Sequence, residues 1–235
     1  MNTKMKVLSL ALIGAFGYAG VASAACPTSA VPPWSSEFAF QGTTTIATPG
    51  YAGTECRLDS AINAGAGGAA GAAVIWNGGA VEPRYRAHFI VNVDSLTGQG
   101  LLDAVQLFTS TSASAGQIVR FSVFGSGGGK NLAYAVRNDA NPIGLETGVV
   151  PLSAGENHVE FDFEIGASNF QLWVNNNDPN APTKTVAINN DAAVTGVDTS
   201  SLGLAGPTAQ FVQHFAGTAV GFDQFDSRRQ NFIGY

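Results

Sequence analysis

The sequence predicts an all-β domain built as a two-sheet antiparallel sandwich. From residue 36 onward, short stretches of alternating apolar and polar residues are separated by Gly, Asn, Asp and Pro, which is typical of strands joined by turns. Only 12% of the residues are charged, fewer than helices usually require, and no segment has a convincing amphipathic helical pattern. Because so many strands do not fit comfortably in one open sheet, we expect two sheets packed face to face.

The expected strands follow one another closely along the chain. Residues 101–107 could instead begin with one helical turn. The predicted strands, in chain order, cover residues 37–41, 54–60, 73–76, 84–94, 104–110, 118–124, 132–137, 147–152, 159–165, 170–175, 183–189, 210–214 and 218–225.

The clearest of these elements is a hairpin over residues 159–175. Its apolar and polar residues alternate on both sides of a turn at 166–169, so one face should be buried and the other solvated. The face expected to be solvated carries Glu160, Asp162, Glu164, Gln171, Trp173 and Asn175.

The first residues have the features of a secretory signal peptide, predicted over residues 1–24. Two lysines precede an apolar run over 7–20, and small residues follow just before Cys26. Lipidation of Cys26 is a less favoured alternative, because Ser23 stands where lipoprotein signals usually carry a leucine-like side chain. No apolar stretch reaches the roughly 20 residues of a membrane span, so we expect one exported domain over 25–235, either periplasmic or extracellular.

Charge and cysteine content narrow the possible partners and the compartment. The whole chain has a net charge of −6, and the signal peptide holds two of its positive charges but no acid, so the mature domain should repel nucleic acid and anionic lipid. In an oxidising compartment, Cys26 and Cys56 are expected to form one disulfide, which would contribute about 3 kcal/mol. Unpaired thiols or a catalytic cysteine are the alternatives.

Three segments together resemble the laminin-G-like, concanavalin-A-like jelly-roll superfamily of lectins and glucanases. They are YRAHFIVNVDSL at 85–96, GENHVEFDFEIGASNFQLWVNN at 155–176 and AGTAVGFDQFDSRR at 216–229. The resemblance covers most of the mature chain and rests on the order of the predicted strands and their general residue pattern. It implies a jelly roll whose last strand, 218–225, lies beside the first, 37–41. Members bind sugars or proteins or hydrolyse polysaccharides, so the fold leaves the function open.

The segment Glu160-Phe-Asp162-Phe-Glu164 is similar to the E-x-D-x-E strand of jelly-roll glycoside hydrolases that act on β-glucans and xyloglucan. That match implies Glu160 as nucleophile, Asp162 as assisting acid and Glu164 as acid/base. A retaining mechanism needs two carboxyl groups about 5.5 Å apart, whereas positions i and i+4 of a regular strand lie about 13 Å apart. An acidic solvent-facing side of an amphipathic strand explains the same residues.

The same face also has the residue types of a sugar-binding surface. An exposed Trp173 could stack on a sugar ring, and Gln171, Asn175, Glu160 and Asp162 could hydrogen-bond its hydroxyls. The plainer interpretation is that Trp173 covers a neighbouring strand or loop.

Metal sites have little support in the sequence, and no cofactor is expected. The histidines lack the spacing of zinc ligands. Asn175, Asn177 and Asp178 offer oxygen atoms that could bind calcium, but these residue types also dominate ordinary turns.

The sequence therefore favours an exported, non-enzymatic domain that binds glycan or a cell-surface or matrix partner. One alternative is a jelly-roll glycoside hydrolase acting on a β-glucan-like polysaccharide through Glu160, Asp162 and Glu164. Another is a structural or self-associating surface protein, a role suited to the low charge and high Gly, Ala and Asn content.

Overall fold

The computed structural model describes residues 26–27, 34–82, 84–139, 144–166, 169–189, 196–228 and 231–235. The predicted signal peptide at 1–24 lies outside the described residues. Strands make up most of the described chain, which confirms the predicted all-β fold class.

The described part of the chain contains fourteen strands and one short helix. In chain order they are β1 (Ser36–Phe40), β2 (Gly42–Ala47), β3 (Arg57–Ile62), β4 (Gly71–Glu82), β5 (Arg84–Asn92), β6 (Val105–Ser112), β7 (Gly116–Ser126), β8 (Gly129–Asn138), β9 (Gly144–Leu152), β10 (Glu156–Glu164), β11 (Asn169–Val174), β12 (Lys184–Ala187), β13 (Val197–Ala205), α1 (Ala209–Phe215) and β14 (Val220–Arg228).

The strands form two antiparallel sheets of seven strands each. Sheet A has the order β1-β4-β13-β6-β7-β8-β9, and sheet B has the order β12-β11-β10-β5-β14-β3-β2. Their inner faces meet in one apolar core, as expected for a sandwich of the jelly-roll type.

The centre of the core is a cluster of phenylalanine rings contributed by both sheets. Phe161 of sheet B lies 5.3 Å, between ring centroids, from Phe108 and from Phe121 of sheet A. Phe89 of sheet B stacks on Phe108 at 5.6 Å. Each fully buried phenylalanine contributes about 1.5–3 kcal/mol through loss of apolar surface from water, so this cluster fixes the two sheets against each other.

The prediction that the last strand lies beside the first is wrong. Strand β14 lies in sheet B between β5 and β3, whereas β1 pairs with β4 at the edge of sheet A. The chain passes from sheet A to sheet B between β1 and β2, at Gln41, which has a left-handed φ of 54°. This early crossover places β1 and β14 in different layers.

Three further elements differ from the sequence prediction, and the first is strand β2 (Gly42–Ala47), which was not predicted. Residues 210–214, expected as a strand, belong to α1, because Thr208 caps the helix by accepting a hydrogen bond from the Phe211 N–H at 3.2 Å. Strand β13 was not predicted at all, although it lies in the middle of sheet A. Its Gly203 has a φ of +133°, and a Cβ there would lie only 2.7 Å from Ala73 Cα, so the close approach of β4 requires glycine.

The disulfide between Cys26 and Cys56 is confirmed, with the two Cα atoms 5.6 Å apart. It ties the first described residues to the start of β3. Among the helical residues that the structure describes, none form a segment long and apolar enough to cross a membrane.

Candidate active site

The outer face of sheet B, the side turned away from the core, carries most of the residues singled out in the sequence. In β10, Val159, Phe161 and Phe163 point into the core, so the alternate residues Glu160 and Asp162 lie on the outer face. The strand register places Glu160 between His88 of β5 and Trp173 of β11. It places Asp162 between Arg86 and Gln171 in the same way.

Asp162 is bound by two arginines. It accepts hydrogen bonds from Arg84 Nη2 at 2.7 Å and from Arg86 Nη2 at 2.8 Å. Asp162 and Arg86 are both buried, and buried charges persist only when they are paired in this way. Glu164 is exposed, with one carboxylate oxygen 3.6 Å from Arg84 Nε. Asp162 is therefore held as a structural counter-ion.

Glu160 is almost completely buried, with only 3% of its surface exposed. Its two carboxylate oxygens accept backbone N–H groups, from Ile233 at 2.8 Å and from Gly234 at 2.9 Å. Burial raises the pKa of Glu160, while these two hydrogen bonds and the nearby Arg86 act in the opposite direction.

Trp173 lies on the same outer face but only 1% of it is exposed, contrary to the expectation of an exposed indole. Phe232 packs edge-on against it, with ring centroids 5.3 Å apart, and the Arg86 guanidinium lies 5.1 Å from its ring centroid. Its Nε1 donates to the Asp178 carbonyl at 3.0 Å. The face predicted to be solvated is thus covered at this point, because residues of the 231–235 segment lie on it.

Gln171 and Asn175, the other residues predicted to bind sugar, lie in different surroundings. Gln171 is partly exposed on the outer face beside Asp162. Asn175 follows the end of β11 with a φ of 53°, and its Oδ1 accepts the backbone N–H of His158 at 2.8 Å. Asn175 therefore stabilises the end of the β10–β11 pair.

The oxygen atoms considered for calcium take part in local hydrogen bonds. Asp178 Oδ1 accepts the Asn180 N–H at 2.9 Å, and Asn177 Oδ1 accepts the Tyr235 N–H at 3.1 Å. Within the described ranges, no three His, Cys, Asp or Glu side chains come together in a way that could hold a metal ion.

A pair of histidines that the sequence analysis did not assign to a site lies at the centre of the outer face. His88 of β5 and His158 of β10 contact each other through Nε2 and Nδ1, 3.3 Å apart. His88 is 2% exposed, and burial together with the neighbouring His158 lowers its pKa to about 4. Burial also lowers the pKa of His158. At neutral pH, His88 is therefore uncharged and able both to donate and to accept a hydrogen bond.

This pair could have been found from the sequence. His88 has the same parity as Arg86 in its strand, and His158 has the same parity as Glu160 in its own. Metal-ligand spacing along the chain does not reveal their common face, because the two histidines belong to different strands.

A tyrosine borders the same face beyond β14. The backbone N–H of Tyr51 donates to Asp223 Oδ2 at 2.6 Å, and that of Ala52 donates to Glu156 Oε2 at 3.0 Å. The Tyr51 ring lies over Gly221, where any Cβ would collide with it. Burial raises the pKa of Tyr51, so its hydroxyl keeps its proton at neutral pH.

Solved structures with this fold include polysaccharide lyases. An endo-β-1,4-glucuronan lyase from the fungus Trichoderma reesei has a TM-score of 0.60 and 15% identity, covering 85% of this chain and 92% of that one. The cellulose-induced protein Cip1 has a TM-score of 0.54 and 13% identity, over 84% of this chain and 89% of that one. An alginate lyase from Klebsiella pneumoniae has a TM-score of 0.51 and 7% identity, over 82% and 86%. Neither a protein-family model nor a curated protein matches the sequence.

These comparisons correct the functional prediction. A non-enzymatic glycan- or surface-binding domain was favoured, and that interpretation is wrong, because the neighbours of this fold include two lyases named for polysaccharide substrates. The findings agree better with the alternative of an enzyme acting on polysaccharide. At these identities the likeness shows a shared β-sandwich of the jelly-roll type and leaves the chemistry to the residues of this chain.

Proposed function

We propose that this chain is a polysaccharide-cleaving enzyme, a lyase that breaks the glycosidic bond beside a uronic acid by β-elimination. The observation that carries the proposal is the uncharged His88–His158 pair at the centre of the outer face of sheet B. Support also comes from the fold shared with a glucuronan lyase over 85% of the chain.

The proposed reaction needs a base at one carbon and a proton donor at the leaving oxygen. The base removes the proton from the carbon that bears the uronate carboxyl group, and the electron pair of that C–H bond forms a double bond to the next ring carbon. The C–O bond from that carbon to the neighbouring sugar then breaks, and the released oxygen takes up a proton. No water is consumed, so the protein groups have to take the proton from carbon and deliver a proton to the leaving oxygen, while the electrons of the broken C–H bond form the double bond.

The exposure of the two rings favours His158 as the base. His158 is partly exposed whereas His88 is buried, so His158 is better placed to touch a substrate. In the tautomer in which His158 Nδ1 donates to His88 Nε2, His158 keeps the lone pair of its Nε2 for the proton of the substrate.

Hydrolysis of a neutral β-glucan is the second candidate, and one observation favours it. Carboxylates outnumber guanidinium groups around β10, and an acidic face repels a polyuronate. Burial also raises the pKa of Glu160, as a catalytic acid requires. Against it, Asp162 is held by two arginines and Glu160 by two backbone N–H groups, so neither is free in this conformation.

Product analysis separates the two reactions. The protein is incubated with glucuronan, with alginate and with a β-glucan, and both new reducing ends and ultraviolet absorbance of an unsaturated uronate are followed. Elimination produces both signals in equal amounts, whereas hydrolysis produces reducing ends alone.

Matched variants then test the histidine pair. We expect His158→Gln to lower the rate by about 10²–10⁴-fold, the usual contribution of a general base. His214→Gln is the control, because that side chain is half exposed on α1 and bonded to Asp103. Full activity in His158→Gln, or reducing ends without absorbance, would refute elimination by this pair.

The predicted signal peptide and the confirmed disulfide support export to an oxidising compartment, where extracellular polysaccharides are met. We infer that the partner of this chain is a glycan, and that it binds on the outer face of sheet B. The resemblance to the concanavalin-A-like superfamily supports the same assignment at the level of fold.

A further inference from the structure

Residues 231–235 lie across the outer face of sheet B, directly over the groups of the proposed site. Phe232 packs against Trp173, the N–H groups of Ile233 and Gly234 bind Glu160, and Tyr235 stacks on His158 with ring centroids 3.8 Å apart. We call residues 231–235 the strap.

Each contact of the strap has the chemistry of a sugar contact. An aromatic ring against Trp173 occupies the surface on which a pyranose ring would stack. Two donors on the Glu160 carboxylate occupy the place of two sugar hydroxyls. The Tyr235 ring covers the imidazole of His158, which is the proposed base. A polysaccharide and the strap therefore compete for the same groups.

The strap is held loosely compared with the strands beneath it. It forms no ladder with any strand of the described chain, and none of its five residues is fully buried. Among the described residues, the polar contacts of the strap include those with Glu160 and a pair of hydrogen bonds between Asn177 and Tyr235. A segment with few buried contacts and an exposed backbone opens far more easily than a core strand.

We propose that the strap is an autoinhibitory segment that occupies the polysaccharide-binding face and must leave it before substrate binds. This inference rests on the proposed function, since it assigns the regulation of the same site. The closed strap lowers the apparent affinity for polysaccharide by the fraction of molecules in which it is open. If the strap is closed in nine molecules of ten, its removal tightens apparent binding about tenfold.

The test compares the full chain with a chain ending at Gln230 and with the full-length variant Phe232→Ala. For both changes we expect a lower KM for polysaccharide, by about tenfold for the truncation, with little change in kcat. Phe40→Ala on the edge strand β1 is the matched control, because that ring is half exposed on the other sheet. An unchanged KM in both variants, or a loss of kcat in both, would overturn the proposal that the strap is autoinhibitory.

A second measurement does not depend on catalysis. The synthetic peptide Gln-Asn-Phe-Ile-Gly-Tyr, with the sequence of residues 230–235, is titrated into the truncated chain while the intrinsic tryptophan fluorescence of that chain is followed. We expect saturable binding that Glu160→Gln weakens at least tenfold. A peptide that binds and blocks the face of a protein that cleaves no polysaccharide would support the strap and reject the proposed function. A truncated chain that cleaves polysaccharide but does not bind the peptide would do the reverse.

Discussion

Replacing Asp162 with alanine removes the carboxylate that neutralises two guanidinium groups on the outer face of sheet B. Arg86 is the more affected, because its side chain is only 7% exposed, whereas Arg84 is 32% exposed and can turn toward water. Breaking a buried pair by removing one partner costs about 3–5 kcal/mol. Glu160 remains 3.7 Å from Arg86 Nε and offsets part of the loss. We therefore expect the free energy of unfolding to fall by about 3 kcal/mol, the lower end of that range.

Urea unfolding at constant pH measures this change, and an unaltered denaturant slope shows that the folded state keeps its compactness. Glu164→Ala is the matched control, since this carboxylate is two residues further along β10, exposed, and near the same Arg84; it should cost at most about 1 kcal/mol. Adding Arg86→Met to Asp162→Ala should recover most of the loss, because an apolar side chain leaves no unpaired charge. A loss below about 1 kcal/mol in Asp162→Ala would show that the pair is not buried as described.

Two further predictions concern pH and packing. Burial lowers the pKa of His88 from 6.5 to about 4, so between these pH values the unfolded chain binds a proton that the folded protein excludes. The contribution of His88 to the free energy of unfolding is therefore fully present above pH 6.5. It falls as the pH drops toward 4, by up to about 3 kcal/mol. The difference between urea midpoints of the native chain and His88→Gln across this range isolates the contribution, and identical profiles would contradict it. Gly203→Ala should cost about 2–4 kcal/mol through strain and collision with β4. Gly67→Ala should cost little, because a Cβ there would make only an ordinary contact with the Gln41 side chain, and equal thermal midpoints of the two variants would refute the close approach.

Much of the fold could be predicted because the alternation of apolar and polar residues along a strand can be recognised in the sequence. The hairpin around residues 159–175 is the best example. Its apolar residues point into the core, and Glu160 lies opposite Trp173 as the period of two requires. The parts that failed depend on neighbours distant in sequence. Strand β13 contains the polar run 198–201 and a glycine, and it is buried because β4 and β6 approach it closely on both sides.

The candidate site was predicted only in part for a related reason. Parity placed Glu160, Asp162 and Trp173 on one face, but it carried no information about what covers that face. The cover comes from residues 231–235, which follow β14 and return over β10 and β11. The His88–His158 pair arises from two strands that are neighbours in space and far apart along the chain. Such pairings become visible only when the strand order is known.

The strand order also sets when the protein can fold. Sheet A stays split between β4 and β6 until β13 enters, and sheet B stays split between β5 and β3 until β14 enters. Both insertions come from the last part of the described chain, so long loops must close before either layer is continuous. A ribosome-bound chain therefore lacks the central strands of both layers. We expect neither sheet to become continuous until nearly all of the chain has emerged from the ribosome.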